Sequence, residues 1–213
     1  MSTEIDLAWK RIETWYEAQL LPIFRRQVRH AALADLLHPG ATELQIAEAE
    51  TLFGRPFPAE FRASLQRHDG AALWPGGEGL PPLEEAWTLT QSRRHALGLS
   101  PTEEQPSIDG VEQVWWHSAW WSFERDGGGN GTALDLQPAP GGQLGQVIGI
   151  DHETADRPLL ATGVASYLND VADLSEAGWY VASEGLAARD TLDETHPLSA
   201  GDLDTWRAKH GET

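Results

Sequence analysis

Apolar residues recur every three or four positions through the first half of the chain, which is the spacing of helices with one buried face. Residues 4–20 predict one such helix, and Pro22 can open a second because its missing N–H is not needed there. We predict that the second helix turns Val28 inward and ends at residues 38–40. The apolar positions on the buried face of the first helix are Ile5, Trp9, Ile12, Tyr16 and Leu20.

Start and stop signals mark the helices that follow. Thr42 with Gln45 three positions later predicts a capping box, and Gly54 suits the left-handed position after a helix end. A short helix is predicted to begin after Pro58 and to close at residues 68–70, "HDG". The first half of the chain therefore predicts several helices joined by short breaks.

After a further predicted helix over residues 83–97, the pattern changes to the alternation that is typical of strands. Residues 120–123 and 133–136 alternate in this way. Between them lies "ERDGGGNG", residues 124–131, whose Asp, Asn and Gly tolerate the positive φ angles of tight hairpin turns. The segment "PAPGG" predicts a second turn, and residues 146–150 a third strand. The simplest topology is an antiparallel meander.

Together these elements predict an α+β fold, in which helices from the N-terminal half and a late helix pack around a central, mostly antiparallel β-sheet. The late helix carries its apolar spacing across residues 164–174, and residues 179–181 can add a short edge strand. A length of 213 residues fits one domain. We assign residues 1–190 to that domain, with residues 1–40 as its N-terminal helical part, and residues 191–213 to an acidic C-terminal tail.

Four tryptophans stand within seven residues: Trp115, Trp116, Trp120 and Trp121. Wide aromatic side chains suit the pleated surface of a sheet, and we predict that Trp120 lies mainly in the core. Neighbouring residues of an extended chain point to opposite faces, so one member of each adjacent pair is expected to be at least partly exposed. An exposed tryptophan is a candidate contact residue, because it buries a large area at low entropic cost.

Charge narrows the range of partners. The net charge is −18, from 33 acidic and 15 basic residues, balanced over residues 1–40 and acidic beyond them. This charge argues against nucleic acid and anionic lipid as ligands. A solvated acidic surface explains it, and an acidic face that docks a basic protein partner is the alternative. The absence of cysteine excludes thiolate chemistry and fits a reducing cytoplasm. Since neither a signal-peptide pattern nor an apolar run of about 20 residues occurs, we predict a cytoplasmic protein without membrane contact.

The sequence lacks the common catalytic motifs. No P-loop and no Gly-x-Ser-x-Gly elbow occurs. A calcium loop beginning at Asp126 would need oxygen ligands where Gly128 and Gln137 stand. Residues 151–156, "DHETAD", could hold a metal weakly, although a solvated loop explains them better. Asp126 with Asp135 could serve as a hydrolase pair only at a suitable separation. We therefore expect no enzyme activity, no cofactor and no metal.

Two segments resemble the SUKH superfamily, specifically its Smi/Knr-type branch. Residues 42–70, "TELQIAEAETLFGRPFPAEFRASLQRHDG", are similar to its opening signature of a helix, a Gly-Arg-Pro-x-Pro break and a His-Asp-Gly close. Residues 116–148, "WHSAWWSFERDGGGNGTALDLQPAPGGQLGQVI", resemble its central strands. The chain departs from the family pattern at Trp121-Ser122, where an aliphatic-Pro pair is usual, and at Gln137, where Asp is common.

The resemblance implies the same α+β fold and a function by binding rather than by catalysis. Bacterial members of the superfamily are often immunity proteins that neutralise a secreted toxin by direct contact, whereas fungal members are scaffolds in cell-wall synthesis and signalling. Our leading hypothesis is an immunity protein whose partner is a basic toxin domain. The alternative is a regulatory scaffold in cell-wall or polysaccharide synthesis. In either case we expect a monomer or a weak homodimer.

The predicted contact surface combines outward tryptophans with polar residues of neighbouring loops. Turn capping is the alternative role for Asp126, and a solvated loop position is the alternative for His152. The candidate contact residues are Trp115, Trp116, Trp121, Asp126, Asp151 and His152.

Overall fold

The computed structural model describes residues 2–75, 79–98, 106–182 and 186–188. The helices in these ranges are α1 (Ser2–Trp15), α2 (Leu21–Gln27), α3 (Glu43–Phe53), α4 (Ala59–Arg67), α5 (Leu83–Leu97) and α6 (Val164–Glu176). The strands are β1 (Trp120–Arg125), β2 (Gly131–Asp135), β3 (Gln146–Ile150), β4 (Leu159–Ala161), β5 (Tyr180–Ala182) and β6 (Leu186–Ala188). Strands β1 to β4 form one antiparallel sheet in chain order, so the predicted α+β fold and its meander are confirmed.

The predicted apolar face of α1 is buried. The helix continues through a π-helical turn (Tyr16–Leu20) into α2, whose first turn contains Pro22. The second helix is shorter than predicted, because it ends before Val28, which is 45% exposed. His30 has a left-handed φ of 73°, which an α-helix does not accommodate, so the chain leaves the helix well before residues 38–40.

The helices that follow begin and end at the predicted signals. Thr42 Oγ1 accepts from Gln45 N at 3.3 Å, and Gln45 Oε1 accepts from Thr42 N at 2.8 Å, which is the predicted capping box. Gly54 follows α3 with φ 80°. Helix α4 begins after Pro58, and α5 covers the residues that helical spacing predicts. Helix α5 packs directly on β1, which places it beside the glycine-rich turn.

Both faces of the main sheet are covered. Trp121 and Leu134 face the helices in the larger core, whereas Trp120 and Ile148 face a smaller second core that Trp116 completes. Trp120 is 0% exposed, which confirms its predicted core position. Trp121 is also 0% exposed, so the expectation that one member of this pair reaches solvent is wrong. The helices cover the face that carries Trp121, and the segment before β1, which contains Trp116, covers the opposite face over Trp120.

Three further predictions concern the remaining tryptophans and the C-terminal part. Trp116 is buried and Trp115 partly exposed, so one member of that pair does reach solvent as expected. Strand β4 was not predicted, because its three residues are too few to show alternation. A strand near residues 179–181 is present as β5, but it pairs with β6 instead of extending the main sheet. The predicted tail, residues 191–213, lies outside the described residues.

Candidate functional site

The turn between β1 and β2 carries the glycine run. Asp126 Oδ1 accepts a 2.8 Å hydrogen bond from Gly128 N, and Asp126 N donates to the Asn130 carbonyl at 3.3 Å. Gly127 and Gly129 have φ angles of 78° and 114°, which glycine adopts without strain. The predicted hairpin turn is therefore present, and the buried carboxylate of Asp126 caps it.

Arg93 joins this turn to α5. Arg93 is buried, with only 6% of its surface exposed. One terminal guanidinium nitrogen donates to Ser122 Oγ at 3.0 Å, and the other donates to the carbonyl oxygens of Asn130 at 2.6 Å and Gly129 at 3.4 Å. Burial lowers the pKa of Arg93 to about 10, so the guanidinium stays charged at neutral pH. No carboxylate of the described residues comes within salt-bridge distance of it.

Close packing explains why the turn needs glycine. A Cβ atom at Gly131 would lie 2.2 Å from the Glu124 carbonyl oxygen and 2.5 Å from Arg93 Nη2. A Cβ atom at Gly129 would lie 2.9 Å from Cγ of His152. Such distances are well inside van der Waals contact. The glycine run thus lets α5 and the loop after β3 approach the turn from two sides.

His152 ties the loop after β3 to the same turn. Asn130 Oδ1 accepts a 3.0 Å hydrogen bond from His152 N, and Nδ1 of the His152 ring lies 2.9 Å from the same oxygen. The imidazole itself is exposed. Asp151 Oδ1 accepts from Glu153 N at 2.7 Å and from Thr154 N at 3.3 Å, so this carboxylate shapes its own loop.

A second buried arginine fixes the far end of that loop. Arg157 Nη2 donates to the Trp115 carbonyl at 2.7 Å, while Nη1 donates to the carbonyl oxygens of Thr154 at 2.9 Å and Asp156 at 2.6 Å. Burial lowers the pKa of Arg157 to about 10. The loop that carries Asp151 therefore connects the partly exposed Trp115 with the glycine turn.

A groove of about 300 Å³ lies between α5 and the turn, and we name it the glycine-turn groove. The residues that line it from α5 are Leu89, Ser92, Arg93, Ala96 and Leu97. The residues that line it from the sheet and its loops are Arg125, Gly127, Gly129, Asn130 and His152. The groove therefore combines an apolar helical wall with a wall of main-chain and polar groups.

The predicted contact residues do not form one surface. His152 lines the groove, Asp126 caps the turn beside it, and Asp151 precedes His152 in the adjoining loop. Trp115 lies at the other end of that loop. Two predictions need correction: Trp116 and Trp121 are buried in the two cores, where they fill space between the sheet and its covering segments and present no exposed contact surface.

Sequence reasoning missed the arginines and Asn130 of the groove. One signal was available, because the buried face of α5 follows helical spacing through Ala86 and Thr90 to Arg93. An arginine at such a position is rarely buried unless it makes specific hydrogen bonds. Neither Arg125 nor Asn130 stands out by spacing, since both are ordinary residues for a strand end and a turn.

A buried acid lies beneath the turn. Glu124 Oε2 accepts from the Tyr167 hydroxyl at 2.5 Å and from Thr132 Oγ1 at 2.9 Å. The Tyr167 hydroxyl in turn accepts a 3.1 Å hydrogen bond from Trp74 Nε1. Glu124 Oε1 is buried without a hydrogen-bond partner among the described residues. Desolvation raises the pKa of Glu124 to about 7. This carboxyl does not line the groove, so it bears on stability and not on a bound ligand.

The acidic residues considered for hydrolysis are not placed together. Asp126 follows β1 at the glycine turn, whereas Asp135 ends β2 and pairs with Trp120 at the opposite end of the hairpin. Asn130, whose carbonyl oxygen accepts from Asp126 N, lies five residues before Asp135, so at about 3.3 Å per residue the two acids are roughly 16 Å apart, beyond the spacing of hydrolase carboxylates. Across the described part of the chain, no three His, Asp or Glu side chains converge as metal ligands would.

The fold and the site together define a class: an α+β domain with a meander sheet that presents a groove beside a rigid glycine turn. The chain belongs to the SMI1 / KNR4 family (SUKH-1), whose model matches residues 40–170. The resemblance inferred from the sequence motifs is thereby confirmed. None of the described helices has the length and apolar content needed to cross a bilayer.

Three fungal proteins to which the chain is similar are named as regulators. The chain is 26% identical to a glucan synthesis regulatory protein of Neurospora crassa, over 82% of this chain and 39% of that protein. It is 27% identical to a cell wall biosynthesis/cell cycle regulator of Schizosaccharomyces pombe, over 87% of this chain and 39% of that protein. It is 24% identical to a cell wall assembly regulator of Saccharomyces cerevisiae, over 85% of this chain and 43% of that protein. The chain spans about two fifths of the length of these relatives.

Proposed function

We propose that this chain is a non-catalytic, protein-binding domain that regulates cell-wall polysaccharide synthesis from the cytoplasm. The observation that carries the proposal is its membership of the SMI1 / KNR4 family, together with relatives named for glucan synthesis and cell-wall assembly. This is the alternative of the two hypotheses drawn from the sequence, and it has the stronger support.

The geometry of the site agrees with binding. The glycine-turn groove has a wall held rigid by Arg93 and by the contact between Asn130 and His152. A surface that is already ordered loses little conformational entropy when a partner binds. The isolated positions of Asp126 and Asp135 lend no support to hydrolysis.

Two measurements in the source organism test this proposal. Deletion of the gene is expected to change the wall polysaccharide content and the resistance of cells to wall-binding dyes, and a plasmid copy should restore both. Chemical cross-linking of the tagged chain in cells, followed by mass spectrometry, is expected to recover proteins of wall polysaccharide synthesis. A deletion strain with a normal wall, from which no such protein is recovered, would contradict the proposal.

A second candidate function is immunity, in which the chain neutralises a basic toxin domain by direct binding. The net charge of −18 favours it, because an acidic surface accelerates association with a basic partner. The test is co-expression with a toxin domain encoded beside the gene: survival of the cells supports immunity, and unchanged killing contradicts it. If the acidic surface contributes, raising salt from about 0.05 to 0.5 M should slow the association.

A further inference from the structure

We propose that the exposed turn after α2 binds a phosphorylated serine or threonine side chain of the partner protein. This turn carries Arg25, Arg26, Arg29 and His30, and we name it the basic turn. The inference rests on the proposed protein-binding function. It adds the place on this chain at which the partner binds and the chemical group that is recognised there. The basic turn precedes residues 40–170, which the family model matches, so family membership alone does not supply it.

Charge is the first argument, because the sign of the basic turn is opposite to that of the whole chain. The chain carries 33 acidic and 15 basic residues, yet residues 18–34 contain three arginines and no Asp or Glu. Arg25, Arg26, Arg29 and His30 are all exposed. The basic turn is thus a small cationic place on an acidic protein, so an anion is attracted here and repelled by most of the remaining surface.

The guanidinium groups of the basic turn are available to a ligand. Within the described part of the chain, the side chains of Arg26 and Arg29 make neither a hydrogen bond nor an ion pair. Arg25 donates from Nε to the Ala31 carbonyl at 2.9 Å, which leaves its two terminal nitrogens open. Asp35, the next acidic residue along the chain, accepts at 2.7 Å from a backbone N–H three residues before it. An anion can therefore reach the terminal nitrogens without displacing an existing contact.

The backbone holds these basic groups together. Ala31 N donates to the Val28 carbonyl at 3.2 Å, and Val28 N donates to the Phe24 carbonyl at 2.8 Å. The hydrogen bond from Arg25 to Ala31 directs the Arg25 side chain across the same turn. Ala31 is 2% exposed and belongs to the larger core, so the turn is anchored to the folded body. An ordered site of this kind loses little conformational entropy when a ligand binds.

The backbone of His30 is the second argument. Its φ of 73° is the single positive value in the hydrogen-bonded turn over residues 28–31, as in a type II turn, where glycine or asparagine is the usual residue at this position. A positive φ is uncommon for a residue with a side chain, and such residues cluster at binding sites. Histidine here places an imidazole N–H donor next to Arg29 in the turn, where glycine would offer none.

The donors and the surrounding charge select the kind of anion. A phosphorylated side chain has three acceptor oxygens and a charge of about −1.5 to −2, so it can accept from several guanidinium groups at once, whereas a carboxylate has two oxygens and one charge. A membrane or a nucleic acid would extend over the acidic surface around the turn, and the net charge of −18 opposes both. Val28, which is 45% exposed, offers an apolar contact to the residue beside the phosphate.

The test uses the full ¹⁵N-labelled chain in a phosphate-free buffer and two probe peptides, acetyl-Gly-Leu-phosphoserine-Leu-Gly-amide and its analogue with unmodified serine. Amide chemical shifts are followed during titration into the millimolar range. The phosphopeptide is expected to shift the signals of Arg26, Val28, Arg29 and His30. The serine peptide should bind at least about tenfold more weakly, since it lacks the charged group that the arginines recognise.

Two charge-reversal variants separate the basic turn from the general field of the protein. Arg29→Glu should weaken binding of the phosphopeptide at least about tenfold, and a native-like thermal unfolding curve shows that this variant folds. Arg94→Glu makes the same charge change at an exposed position of α5, and binding should stay within about twofold of the native value. Equal binding of the two peptides, equal losses in the two variants, or shifts elsewhere on the chain would overturn the proposal.

A third variant, His30→Gly, separates binding from stability. Glycine adopts a positive φ readily, so the melting temperature should stay within about 2 °C of the native value. Binding of the phosphopeptide should nevertheless weaken about threefold, because the imidazole donor is lost. Unchanged binding would overturn the role given to His30, and a large loss of stability would show that its side chain supports the fold instead.

The Arg29→Glu variant also distinguishes a phosphopeptide site from other uses of the basic turn. If the phosphopeptide does not bind, while vesicles of phosphatidylcholine with phosphatidylserine bind the native chain and not Arg29→Glu, the ligand is a membrane and the proposal fails. If a wall-synthesis partner is recovered equally well by Arg29→Glu, or after phosphatase treatment, protein binding stands and the assignment to the basic turn fails. If the phosphopeptide binds the basic turn while deletion leaves the wall normal, the site stands and the proposed cellular function fails.

Discussion

The guanidinium of Arg93 donates a 2.6 Å hydrogen bond to the main-chain carbonyl of Asn130, 37 residues further along the chain. Asn130 also accepts from the backbone of His152 at 3.0 Å. Helix α5 and the loop that follows β3 thus both contact the turn of the β1–β2 hairpin. The shape of the glycine-turn groove depends on this convergence, and the buried arginine is its structural centre.

Arg93→Lys is expected to lower the free energy of unfolding by about 2 kcal/mol, because a lysine ammonium cannot reach Ser122 and Asn130 together. Urea unfolding followed by tryptophan fluorescence measures the change. Arg94→Lys, one residue along α5 and exposed, is the control and should stay within about 0.5 kcal/mol of the native value. Equal midpoints for the two variants would show that the Arg93 hydrogen bonds add nothing to stability.

Gly131→Ala is expected to destabilise the fold by about 3 kcal/mol, because its Cβ would lie 2.2 Å from the Glu124 carbonyl oxygen and force the main chain to move. Gly128→Ala lies in the same turn, and its Cβ would meet its nearest atom, Asp126 Oδ2, at 3.4 Å. That variant should cost about 1 kcal/mol or less. Thermal unfolding compares the two, and similar melting temperatures would refute the steric argument.

Local signals predicted much of the fold. The capping pair Thr42 and Gln45, and Gly54 after the helix end, act through neighbours a few residues away, so the sequence alone places α3. The alternation around Trp120 and the Gly-rich turn after it likewise predicted the meander. The end of α2 was not predicted, because the left-handed backbone of His30 carries no clear signature in the residue type.

The candidate site was less predictable, because it is built from residues far apart in the chain. Arg93 reaches Asn130 across 37 residues, and His152 reaches it across 22. The exposure of Trp121 was mispredicted for a related reason: a strand pattern cannot show whether a distant segment covers the second face of the sheet. Here the helices cover the face that carries Trp121, with Phe53 and Trp87 against its ring, while Val111 and Trp116 close the opposite face over Trp120.

Trp121→Ala is expected to cost about 4 kcal/mol, since it empties the space among three aromatic neighbours. The ring of Trp121 lies 5.3 Å from Phe53, 4.9 Å from Phe57 and 6.0 Å from Trp87, measured between centroids. Trp115→Ala, at a partly exposed position, should cost less than about 1 kcal/mol. Guanidinium unfolding followed by circular dichroism checks the pair, and comparable losses would mean that Trp115 is also a core residue.

Glu124→Gln is expected to change how stability depends on pH. The pKa of Glu124 is raised by burial from 4.5 to about 7, so the folded chain holds a proton that the unfolded chain releases. The contribution of this carboxyl to the free energy of unfolding is therefore fully present below about pH 4.5 and decreases as the pH rises to 7. Above pH 7 the folded chain has lost about 3 kcal/mol of stability from this group. The groups that interact with this carboxyl include Tyr167, Thr132, Arg93, Asp126 and Tyr16.

The Gln variant keeps an acceptor for the Tyr167 hydroxyl but cannot ionise. It should be more stable than the native chain at about pH 8, by up to about 3 kcal/mol, and nearly equal to it at about pH 4. Urea unfolding at several pH values measures this difference, with Glu84→Gln on the exposed surface of α5 as the control that should leave the slope unchanged. Parallel pH profiles for the native chain and Glu124→Gln would contradict this prediction. They would mean that folding does not raise the pKa of Glu124, because the hydroxyls of Tyr167 and Thr132 stabilise its charge fully.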